Sequence, residues 1–75
     1  SIFSENIRYL RAQKKLSQQE LAKEIFLSRV RYSKYEDGRS EAPYEVLIRI
    51  SKYFKVSIWN IQVKLLDLLC LHNKM

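Results

Sequence analysis

The side chains best equipped for chemistry lie close together, in the stretch SQQELAKEIFLSRVRYSKYEDG at residues 17–38. Arg29, Val30, Ser33 and Lys34 share one stripe of a helix, Arg31 lies beside it, and no carboxylate appears before Glu36. Such a stripe suits an anion. A guanidinium can bond the O6 and N7 of guanine together, and a valine can touch a thymine methyl. The same cations would also serve as a plain solvated face, and residue chemistry alone leaves both readings open. Catalysis finds little to work with. The chain has no carboxylate pair with an obvious cleft, no Gly-rich phosphate loop and no histidine beside a serine or cysteine nucleophile, so no enzyme is expected. His72, the sole histidine, has no second ligand at metal spacing, and Cys70 reads as a helix-face hydrophobe, so neither metal nor cofactor is expected.

The elements that position this stripe are two short helices. Ser17 followed by Glu20 is a capping box that starts the first, which turns Leu21 and Ile25 toward a core. Ser28 is the cap candidate for the second, in which Tyr32 and Tyr35 recur at helical spacing before Gly38 stops it. The tyrosines could stack on bases, but their spacing makes them core residues whose hydroxyls reach the surface. So short a turn forces the helices to cross steeply, with Ala22 supplying the small side chain at the crossing.

The remaining sequence reads as an all-α chain of five helices and no strands. A first helix over about 3–15 carries Phe3, Ile7 and Leu10 on one face and Arg8, Arg11 and Lys14 between them. Pro43 opens a fourth helix that runs to about Phe54 and buries Val46, Leu47, Ile50 and Phe54. Ser57 caps a fifth that begins Ile58, Trp59, with Trp59 a core or interface anchor. A length of 75 residues sets the expectation of a single domain. One cysteine agrees with a reducing compartment, and no apolar run approaches the roughly 20 residues of a membrane span. With no secretory or transit segment in view, the expected location is the cytoplasm. The net charge of +6 favours an anionic partner.

The fifth helix, about 57–71, holds more apolar surface than a small core needs. Ile61, Leu65 and Leu68 continue a seam from Ile58, and Leu66 and Leu69 widen it. The expectation is a homodimer built partly on Ile61, Leu65, Leu68 and Leu69. Two alternatives compete with it: the helix folds back on Ile2, Phe3 and the first helix, or a missing part of a longer protein covers it.

The stretch 17–38, preceded by IRYLRAQKKL and followed by LIRISKYFKVS, resembles the helix-turn-helix domain of the phage-repressor (Cro and repressor, or XRE) family over roughly residues 3–66. The resemblance implies a compact five-helix DNA-binding domain with the helix-turn-helix at helices 2 and 3. It implies a transcriptional regulator, of the repressor kind, that dimerises on inverted-repeat operators in double-stranded DNA. Residues 28–37 would enter the major groove, with Ser28, Arg29, Val30, Ser33 and Lys34 toward the bases and Gln18, Arg31 and Arg39 toward the phosphates. Arg11 and Glu36 would form a structural ion pair, whose loss from a buried setting costs about 3 to 5 kcal/mol. Phe26 departs from the pattern, standing where the family often has a left-handed glycine and costing about 1 to 2 kcal/mol there unless the turn changes form. The loop proline is shifted one place, which puts the start of helix 4 in question by about a residue. The alternative function is an antitoxin-like or adaptor module that binds a protein partner through the leucine-rich fifth helix.

Overall fold

The computed structural model describes residues 2–62. Within them the chain forms α1 (Ile2–Gln13), α2 (Gln18–Glu24), α3 (Arg29–Glu36), α4 (Tyr44–Phe54) and α5 (Ile58–Gln62), with no strand among the described residues. Serines begin three of these helices. Ser17 Oγ accepts the Glu20 amide at 3.0 Å while Glu20 Oε1 accepts the Ser17 amide at 2.8 Å, closing the capping box. Ser28 Oγ accepts the Arg31 amide at 3.2 Å and Ser57 Oγ the Asn60 amide at 3.0 Å. Pro43 caps α4 without a side-chain bond, since its ring offers no acceptor.

The first four helices end on one device. Lys15, Phe26, Gly38 and Lys55 take the left-handed conformation, with φ of 57°, 61°, 75° and 58°. The amide after each bonds a carbonyl five residues back: Leu16 to Arg11, Leu27 to Ala22, Arg39 to Lys34 and Val56 to Ser51, at 2.8 to 3.2 Å. This closure satisfies carbonyls that the helix end would otherwise orphan, and an apolar residue just past the turn completes it. Leu16, Leu27 and Val56 fill that role and pack on the core. The device explains why α1 stops at Gln13 rather than near Lys15, since the following residues belong to the cap.

Ile7, Leu21, Ile25, Tyr32, Val46 and Ile50 form the centre of the core, with Phe3 and Phe54 against its rim. Ala22 is buried completely, as a close crossing of α2 and α3 requires. Ile61 is buried completely as well, which corrects its assignment to a dimer interface. Its carbonyl accepts Asn6 Nδ2 at 2.6 Å, so the start of α5 is fastened to α1. The described part of the fifth helix therefore folds back on the first. Trp59 is 68% exposed and does not anchor the core. Leu65, Leu66, Leu68 and Leu69, with the rest of the expected apolar seam, lie outside the described residues, as do Cys70 and His72. No described helix is long and apolar enough to cross a membrane.

Candidate nucleic-acid interface

The site begins with what holds α3 in place. Glu36, at its last turn, is buried, and its carboxylate is surrounded by donors. Arg11 of α1 grips both oxygens, Nε to Oε2 at 2.5 Å and Nη2 to Oε1 at 3.1 Å. Gln18 Nε2 reaches Oε1 at 3.2 Å, and the Tyr32 hydroxyl donates to Oε2. Arg8 Nη2 bonds the Glu36 carbonyl at 3.0 Å, and Arg11 Nη1 bonds the Leu16 carbonyl at 2.8 Å. Helices α1 and α2 thus converge on one carboxylate of α3. The forked guanidinium suits this task, since it offers parallel donors in fixed geometry and keeps another for the α1 cap.

The electrostatics follow from the geometry. Burial pushes the Glu36 carboxyl up, but the hydrogen bonds from Arg11, Tyr32 and Gln18 outweigh it and hold the group below the ordinary carboxylate range. The bond to Glu36 raises the Arg11 guanidinium against the opposing effect of its own burial. Burial first, and then the bond to Glu36, push the Tyr32 phenol well up, so it remains a donor. Among the described residues, every buried side-chain nitrogen and oxygen has a hydrogen-bond partner.

The Arg11–Glu36 pair is where the resemblance put it. The Gln18, Tyr32 and Arg8 bonds to Glu36 go beyond what the sequence suggested. The Tyr32–Glu36 bond spans one helical turn, so its spacing is a usable signal; the other two join residues far apart in sequence and leave no local trace. The expectation that the Tyr32 hydroxyl reaches the surface is overturned, because a buried carboxylate sits one turn on and takes its proton as a hydrogen bond. Tyr35 is also buried, and its hydroxyl accepts Arg31 Nε at 3.0 Å.

The opposite face of α3 is open. Arg29, Val30 and Lys34 are exposed, Val30 at 68%. Among the described residues, neither the Arg29 guanidinium nor the Lys34 ammonium has a hydrogen-bond or ion-pair partner. Ser33 is half-buried and donates to the Val30 carbonyl at 3.0 Å, while Ser28 spends its hydroxyl on the helix cap. Arg31 is exposed apart from its Tyr35 bond. Arg39 is exposed and makes a 3.3 Å surface pair with Asp37, an interaction of roughly 0 to 1 kcal/mol that a competing anion can replace. Gln18 has one amide hydrogen committed to Glu36 and a second still to offer. Phe26 keeps the turn in its left-handed form and is 81% exposed.

Comparison with known proteins agrees with this architecture. The helix-turn-helix family matches residues 7–58. An uncharacterised HTH-type transcriptional regulator, YqaE, from Bacillus subtilis (strain 168) is 44% identical over 57 residues, covering 76% of this chain and 49% of that protein. The HTH-type transcriptional activator BcrR from Enterococcus faecalis is 41% identical over 56 residues, covering 75% of this chain and 28% of that protein. The chain therefore spans half or less of the curated relatives it matches. The crystal structure of the clp gene regulator ClgR from Corynebacterium glutamicum superposes with a TM-score of 0.77 at 23% identity, over 97% of this chain and 78% of its own, which shows a shared fold.

Proposed function

Given that the chain belongs to the helix-turn-helix family, of the phage-repressor type, we propose that it binds duplex DNA through α3 and regulates transcription. The observation that carries this reading is the unpartnered stripe of Arg29, Val30 and Lys34 on a helix whose inner face is fastened at Glu36. Free cations on a mobile segment would give only general affinity. On a fixed helix they become a pattern that matches some base sequences and rejects others.

In this reading α3 lies in the major groove with its N-terminal end leading. Arg29 and Lys34 reach purine edges, Val30 meets a thymine methyl, and Ser33 and Ser28 line the approach. Arg31, Arg39 and the free Gln18 hydrogen take phosphates, where the α2 N-terminus also favours negative charge. One such domain reads a half-site. The protein works as a homodimer on an inverted repeat, in the cytoplasm, and represses by occupying DNA that the transcription machinery needs.

Selection of duplexes from a random pool tests this directly. The expected outcome is enrichment of an inverted repeat whose affinity falls steeply with salt, the logarithmic slope being about −0.9 for each phosphate neutralised. A pool that remains unenriched at low salt would sink the proposal. Placing the selected repeat over a reporter promoter then reads the sign of regulation, with repression expected.

A further inference from the structure

Phe26 is the most exposed of the large hydrophobic side chains among the described residues, at 81%, and it also holds a backbone conformation that disfavours any residue with a Cβ, at φ 61°. The helix-end closure offsets part of the backbone cost, but nothing among the described residues covers the ring. Ile25 and Leu27 on its two sides are buried, and the Leu27 amide is locked to the Ala22 carbonyl at 2.8 Å, so the turn itself turns the Phe26 ring outward. Lys15 and Lys55 bear the same backbone strain with a side chain that water solvates, so it is the strain together with an uncovered aromatic ring that points to a role outside the fold. Its position names the partner. Arg29 lies three positions on, a span of at most about 11 Å, and the exposed Val30 follows in the same first turn of α3. Arg29 and Lys23 on either side are exposed cations, with the exposed Glu24 between Lys23 and Phe26, and the two cations suit an anionic partner better than an apolar protein surface.

We propose that Phe26 is a further DNA-contacting residue, whose ring packs on apolar surface at the edge of the major groove, a thymine methyl or a deoxyribose, next to the pair read by Arg29. This inference rests on the reading of α3 as the groove-inserted helix. It makes Phe26 part of the DNA interface rather than a turn that could equally be glycine, and a specificity-determining residue where its partner is the thymine methyl.

The test compares the unmodified protein with Phe26→Gly and Phe26→Leu on the duplex that the unmodified protein selects from a random pool. Phe26→Gly should raise the melting temperature, because the strain is gone, and yet bind about tenfold more weakly, the scale of a partly buried aromatic ring. Its salt slope should stay unchanged, since an apolar contact releases no counterion. Phe26→Leu should retain part of the affinity. Replacing flanking thymines with deoxyuridine then separates the two surfaces: loss of the Phe26 advantage assigns the methyl, and its persistence assigns the sugar. Equal affinities for Phe26→Gly and the unmodified protein would overturn this inference alone, as would a change confined to the sedimenting species, which would assign the ring to a second copy of the chain. Failure of the unmodified protein to select any duplex would overturn it together with the reading of α3.

Discussion

Both faces of α3 carry polar side chains, and the two faces use them in opposite ways. On the inner face Tyr32, Tyr35 and Glu36 are buried and saturated with partners supplied by α1, α2 and α3 itself. On the outer face Arg29 and Lys34 are exposed and, among the described residues, have no hydrogen-bond or ion-pair partner. A helix of eight residues is too short to be stable alone, so its direction is set by what grips it. Position and recognition are thus separated across one helix of eight residues. Inner-face changes should damage folding, and outer-face changes should damage selectivity.

The sharpest way to break this separation is at its strongest contact. Arg11→Ala leaves the Glu36 carboxylate buried without its cation, and the expected loss is about 3 to 5 kcal/mol, measured by urea denaturation. Such a loss is a large part of what holds a chain of this size together. Arg11→Lys should recover only a fraction, because an ammonium cannot hold both Glu36 oxygens and the Leu16 carbonyl at once. A variant that melts like the parent but binds DNA poorly would make Arg11 a recognition residue and not a positioning one.

On the outer face the pattern reverses. Arg29→Ala and Lys34→Ala should each relax base preference at one position of the selected site by about 1 to 3 kcal/mol, with the melting temperature unchanged. The check is a set of single-base variants of the site, titrated with each protein. Uniform weakening across the whole set would make these residues phosphate contacts and return base reading to other side chains.

Acid should separate the faces as well. Glu36 is held below its ordinary value of 4.5, so as the pH falls the unfolded chain takes up its proton first. The stabilisation from Glu36 is therefore complete above about pH 4.5 and is lost as the pH drops through the lower folded value. Glu20, lowered by the Ser17 amide, acts in the same direction. Glu36→Gln isolates the buried group: as the pH falls below about 4.5 its stability should fall less steeply than the parent's, while Arg29→Ala should follow the parent. Parallel curves for Glu36→Gln and the parent would mean that the carboxylate gains nothing from its donors.

These residues are not equally legible in the sequence. The caps at Ser17 and Ser28 can be read because a hydroxyl and the amide it takes sit three residues apart. The outward stripe can be read because helical spacing alone decides which side chains share a face, and exposure of Arg29, Val30 and Lys34 agrees. Arg11–Glu36 joins residues that share no local pattern, and only the resemblance to a known family puts them together. Gln18 reads as a phosphate contact from its place at a helix start, whereas its bond to Glu36 depends on the crossing of α2 and α3. Ile61 shows a different limit. Spacing marks an apolar seam but does not say whether the partner is another chain or α1, and here Ile61 lies in the protein's own core.

The smallest effects come from the helix ends, where Gly38 and the residues Lys15 and Lys55 do the same work with different chemistry. Left-handed backbone costs a residue with a Cβ about 1 to 2 kcal/mol, and glycine escapes that cost but loses more freedom on folding, by roughly 0.5 to 1 kcal/mol. The two effects oppose each other, and steric relief is the larger. Lys15→Gly and Lys55→Gly should therefore each stabilise the fold by about 0.5 kcal/mol, and Gly38→Ala should destabilise it by about 1 kcal/mol. Neither lysine belongs to the outer face of α3, so the base preferences of both variants should match those of the parent even where overall affinity shifts through a lost charge. Stabilisation accompanied by altered base preference would show that the ends of α1 and α4 help to aim α3, and the division between its two faces would have to be redrawn to include them.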